Sequence, residues 1–324
     1  HKPAKKAERE RNMFQELQLC NPAITNPMSA FDELWKLDSE SSKSYSSEAL
    51  LKNNPVWRQL VVEWCYSLVD SMNADRELVY LTFRIFDRYL AAVQDNATNS
   101  NNNISCLYDK KSYNIVVLSS LLLATRLFSI DPCCLSMEDM LEEETSSITY
   151  EDVRETSKDI YKSLEWEKIR IPTAAQFARA LVKLLPSTIQ ESSKSALLQN
   201  AIHQIELSVQ DEVCMSFSPS LVAHMALENA LLQQQGNHYF TAEDITCSQT
   251  LFCAKCGPFY DTSLRNRLEN LQQISNLEVF SPPPSQYHTA TMNIPIVAFP
   301  IETDANVGLK SLSLAHFDTL LKEL

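Results

Sequence analysis

Cysteines with two residues between them, and histidines one helical turn from a carboxylate, are the residues here whose types and spacing could do chemistry. Cys253-Ala254-Lys255-Cys256, with Cys247 upstream, has the C-x-x-C spacing of zinc ligands. A tetrahedral site needs four donors and no second pair follows, so these read as ordinary thiols on a helix. His203 with Glu206, and His224 with Glu228, lie at i,i+3 and i,i+4, which places an imidazole and a carboxylate on one helical face and would suit a metal or a general base. Isolated pairs of this kind read as polar residues of a surface or a core. Only three glycines occur, Gly236, Gly257 and Gly308, no two of them within six residues, and this excludes the glycine-rich phosphate loops. No set of nucleophile, base and oxyanion donors assembles along the chain. The chain reads as a non-enzyme with no catalytic residue, no metal and no cofactor.

The elements that must position any site are helices. Sheets draw on glycine for their turns, whereas this chain of 324 residues is poor in glycine and has its apolar residues at helical spacing, so its fold class is all-α. Helices are expected near 55–70, 76–93, 112–128, 136–143 and 150–165, then at 173–185, 191–213, 219–235, 242–255 and 262–278. The third, apolar on nearly every side, is expected to be the buried centre of its unit. Thr149, Thr173, Ser218, Thr241 and Asp261 are candidate caps, and Pro172 separates the two series. The organisation read from this is a polar N-terminal arm at 1–47 with one short helix near 30–37, and a five-helix unit at 48–171 with an Asn-rich insertion at 95–111. A second five-helix unit follows at 172–280, then a tail at 281–324 with a weak helix near its end.

Charge narrows the partners. Against 28 Lys and Arg stand 41 Asp and Glu, a net −13, which repels nucleic acid and anionic membrane and favours proteins. The longest apolar stretch, 115–124, is far short of the roughly 20 residues of a membrane span. Nine cysteines without regular spacing suggest reduced thiols in the nucleus, the cytoplasm or both. The basic opening, Lys2, Lys5, Lys6, Arg9 and Arg11, suits part of a nuclear import signal, weakened by Glu8 and Glu10. The reading leaves room for an upstream segment before His1.

Six short motifs occur in order. Trp57-Arg58-Gln59-Leu60-Val61-Val62-Glu63-Trp64 is similar to the Met-Arg-Ala-Ile-Leu-Val-Asp-Trp opening helix of cyclins, and Phe86-Asp87-Arg88-Tyr89-Leu90 to their Asp-Arg-Phe-Leu helix. Leu123-Ala124-Thr125-Arg126 sits where the family has Leu-Ala-Ser-Lys. Pro172-Thr173 with Gln176-Phe177, Glu206-Leu207-Ser208, and Ser218-Pro219-Ser220 resemble elements of the second cyclin box. The likeness covers about residues 48–280, and it implies two tandem five-helix cyclin boxes. It also implies a regulatory subunit that binds and activates a cyclin-dependent Ser/Thr kinase in cell-cycle control. The alternative is a cyclin-fold scaffold or transcription-associated protein that activates no kinase.

The resemblance assigns roles residue by residue. Arg58 and Asp87 would form the family's internal ion pair; the competing reading is two solvated charges. Trp57, Leu60, Val61 and Trp64 share one helical face and would form the docking patch for Arg-x-Leu peptides of substrates or inhibitors; the competing reading is core packing. Ser67 stands where the family has an acid that reads the peptide's arginine. Arg126 takes the position of the family's kinase-contacting lysine, or is merely a solvated helix end. The matching glutamate position falls on Ser157, a short neutral hydroxyl, with Glu155 and Asp159 pointing to the opposite side of the helix.

Overall fold

Thr149 and Thr173 both close capping boxes. Thr149 accepts from the Asp152 amide and Thr173 from the Gln176 amide, while each partner side chain returns a bond to the cap. Ser218 accepts from the Leu221 amide, with Pro219 in the first turn. These caps start three of the helices in the computed structural model, which describes residues 27–41, 55–71, 74–100, 110–128, 148–164, 172–234, 240–256 and 261–280. The expected helices at 136–143 and near the end of the tail lie outside the described residues.

Among the described residues the structure is helical, without strands. The helices are α1 (Pro27–Ser41), α2 (Pro55–Ser71), α3 (Glu77–Ser100), α4 (Lys110–Phe128), α5 (Tyr150–Ser163), α6 (Ala174–Lys183), α7 (Glu191–Ser208), α8 (Glu212–Ser216), α9 (Pro219–Gln233), α10 (Ala242–Cys256) and α11 (Thr262–Phe280). α4 packs against α3 and α5, and α2 against α3. From 113 to 125 every side chain of α4 except Ile115 is buried, as expected for a helix apolar on all sides. α9 holds the equivalent central place among α6, α7, α10 and α11.

Three boundaries differ from the sequence reading. α3 continues to Ser100, so the expected insertion at 95–111 begins as helix. The segment expected as one helix over 191–213 breaks after Ser208: Asp211 accepts from the amides of Val213 and Cys214 and starts the short α8. The N-terminal arm is not free over its helix. α1 packs on α6 and α9, with Phe31 buried edge-on against Phe177, ring centroids 5.8 Å apart, and Asp38 buried and accepting from Ser220.

The Thr173 cap also reaches back to the first helices, donating from Oγ1 to Glu77 Oε2 at 2.6 Å. Thr173→Ala is therefore expected to cost about 1–2 kcal/mol, a cap and a buried bond together, read as a lower midpoint in urea unfolding. An unchanged midpoint would show that neither bond matters.

Candidate functional site

Arg58 on α2 meets Asp87 on α3 in a two-point pair, with Nη1 at 2.7 Å from Oδ1 and Nη2 at 2.9 Å from Oδ2. Their side chains are 0% and 2% exposed. Burial works against the guanidinium's charge, but the adjacent carboxylate and its hydrogen bonds outweigh it and hold Arg58 above its ordinary value. The remaining donor, Nε, reaches Val209 O at 2.9 Å, the carbonyl at the end of α7, and the guanidinium lies over the Phe83 ring, 5.0 Å from its centroid. The pair thus joins α2, α3 and α7.

Further polar links cross between the same sets of helices, and the sequence gives no sign of them. Arg84 donates to the carbonyls of Met215 and Phe217, and Arg179 pairs with Glu77. Tyr66 donates to Glu206 O, and Arg76 lies over the Tyr66 ring, 4.6 Å from its centroid, while pairing with Glu206 and Asp70. Partners more than 100 residues apart leave no local pattern to read.

The face formed by Trp57, Leu60, Val61 and Trp64 is mostly interior. Val61 and Trp64 are buried; Trp57 and Leu60 are half-buried, with Trp57 edge-on to Tyr113 at 5.8 Å. Two members of the face, Val61 and Trp64, thus pack in the core, and Trp57 and Leu60 are its partly open members. Ser67 is exposed and lines a cleft of about 300 Å³ between α2 and α7, with Glu63, Asp70 and Glu206 around it.

At the crossing of α4 and α5, serines replace bulk. Ser119 Oγ donates to Val153 O at 2.9 Å, and Ser157 Oγ donates to Val153 O at 2.7 Å. Ser157 is 3% exposed, so the hydroxyl at the family's glutamate position faces the crossing rather than solvent. Glu155 and Asp159 are exposed and pair along the helix with Lys158 and Lys162. Arg126 is exposed, two turns beyond Ser119 on the same face of α4, and has no ion-pair partner among the described residues. Of the other candidate pairs, His203 is exposed while His224 and Glu228 are buried; Cys247 and Cys253 are exposed thiols. Among the described residues no three potential ligands gather as a metal site.

Residues 31–168, from within α1 to just past α5, match the family model described as the cyclin N-terminal domain. Over that stretch the chain is similar to the cyclin family. It is 26% identical over 189 residues to a G2/mitotic-specific cyclin-2 of Medicago sativa, covering 58% of this chain and 51% of that protein. It is 24% identical over 209 residues to cyclin-B2-1 of Arabidopsis thaliana, covering 61% and 44%. The chain thus spans about half the length of the curated relatives it matches. Within this fold Arg58 and Asp87 join helices in the interior, while Arg126 is the candidate contact that faces outward.

Proposed function

We propose that this cyclin is a non-catalytic regulatory subunit that binds a cyclin-dependent Ser/Thr kinase and activates it in cell-cycle control. The observation that carries this reading is Arg126, an exposed guanidinium at the end of the buried central helix α4, on the helical face that also carries α5. A guanidinium offers five donors in a fixed fork, suited to backbone carbonyls or a carboxylate on a partner helix. The partner is a protein rather than nucleic acid or membrane, in keeping with the net charge of −13, and the setting is the nucleus, the cytoplasm or both. The half-buried Trp57 and Leu60 support at most a small apolar contact for Arg-x-Leu peptides.

Co-purification with a panel of cyclin-dependent kinases, followed by phosphorylation of a histone-type substrate, tests this. Arg126→Glu is expected to weaken binding at least tenfold, about 1.4 kcal/mol or more, with activation falling in step. Binding that survives the charge reversal would overturn the interface. A second reading, a scaffold that activates no kinase, draws support from Ser157, whose hydroxyl is spent inside the crossing. Failure to retain any kinase would favour it.

A further inference from the structure

α9 carries a buried polar stripe, Ser220, His224 and Glu228, at i, i+4 and i+8. Ser220 is committed to Asp38 of α1. His224 meets the ring of Phe252 on α10 edge-on, centroids 6.2 Å apart. The histidine is 1% exposed, and neither Nδ1 nor Nε2 has a hydrogen-bond partner among the described residues. An orphaned polar group in a core is uncommon and costly, so it calls for a reason.

Among the described residues no group that faces this stripe is bonded to the ring. On its own helix Glu228 lies one turn on, with Oε2 buried and unpartnered. From α1 comes Asp38, already bonded; from α10, Cys253, close enough to Glu228 to be pushed up by it after burial; from α11, Arg265, which favours Glu228's charge and donates to Asn229. Among the described residues, α6 and α7, packed on other sides of α9, bring no charge that acts on the ring. Burial alone holds the imidazole down, to about 4.

α10 is seated chiefly on α9, through Ile245, Ser248 and Phe252, with the rest of its surface largely open. We propose that His224 is an acid-operated latch for α10. A proton added to a ring that makes no hydrogen bond in the seam is best accommodated if the helix lifts and water reaches the imidazole.

The sign follows from the two values of the ring. Docked, it titrates near 4; released, near 6.5. Docking is therefore at full strength above pH 6.5 and weakens as pH falls toward 4, by about 30-fold in the release equilibrium between pH 8 and pH 5. Glu228 works the other way. Burial raises it in the docked state, so its protonation favours docking and blunts the latch.

Hydrogen exchange on the whole chain, corrected for intrinsic rates, tests this. Residues 242–256 are expected to exchange about 30-fold faster at pH 5 than at pH 8, with 113–125 in α4 unchanged. His224→Phe, which keeps a ring but takes no proton, should flatten the profile, and Glu228→Gln should steepen it. If His224→Phe does not fold, titration of the His224 imidazole in the unsubstituted chain decides: a midpoint well below 6 supports the latch, one at 6 or above overturns it. Equal exchange of 242–256 at both pH values, or an acid-dependent rise that persists in His224→Phe, would also overturn it.

Discussion

Asp87→Ala is expected to lower the thermal midpoint by on the order of 10 °C. The reasoning starts from what the substitution leaves behind: Arg58, 0% exposed, keeps its bond to Val209 O but loses both carboxylate contacts. Breaking one side of a buried pair costs about 3–5 kcal/mol, because the remaining charge stays in the interior uncompensated. In a chain of this size each kcal/mol moves the midpoint by about 2–4 °C. Asp87→Asn should be nearly as damaging, since it keeps the shape and removes the charge. Arg58→Met combined with Asp87→Leu should recover most of the loss, and the shortfall would report the Val209 carbonyl left without its donor, about 1–3 kcal/mol. Thermal unfolding followed by circular dichroism measures all three; an Asp87→Ala midpoint within error of the unsubstituted chain would sink the account.

Ser157→Glu, which restores the family's acidic residue, is expected to destabilise the fold without improving kinase binding. The site is 3% exposed, and its hydroxyl is bonded to Val153 O at a helix crossing where Ser119 also approaches closely. Extra side-chain bulk in a packed crossing costs about 1–3 kcal/mol, and a carboxylate there has no cation to meet. The sum is on the order of 5 kcal/mol, comparable with the whole stability of many domains. Ser157→Ala should cost only about 1 kcal/mol, since the bond it loses is made to its own helix. Unfolding midpoints and kinase retention, measured on the same preparations, separate the outcomes. A stable Ser157→Glu protein that gained affinity would mean that residue 157 is reachable by the partner after all.

The legible part of the structure was the part governed by local periodicity. The apolar run of α4, the caps Thr149, Thr173 and Ser218, and the break at Pro172 each rest on residues a few positions apart. What was not legible depends on distant partners. α7 ends where the Val209 carbonyl turns to Arg58, 151 residues away, and nothing near Val209 announces it. α1 reads as part of a polar arm because Phe31 and Asp38 acquire their burial from Phe177 and Ser220.

The candidate site divides in the same way. The type and spacing of Arg58, Asp87 and Arg126 could be picked out in the sequence, but which face of α2 is covered could not. Trp64 and Val62 lie on different sides of a helix that is apolar on both, and both are buried. Periodicity marks such a helix as two-faced without saying which face is covered.

Two of the arginines that join the helices across the seam, Arg58 and Arg84, grip main chain there. Arg58 ends on the carbonyl of Val209, and Arg84 on those of Met215 and Phe217. A carbonyl is the same whatever side chain accompanies it. At these contacts the joint therefore asks for a particular residue on one side only: 209, 215 and 217 should accept other apolar residues of similar size, whereas 58 and 84 should accept almost nothing. A saturation library scored for folded protein would show that one-sided tolerance, a seam free to drift on its acceptor side while staying fixed on its donor side.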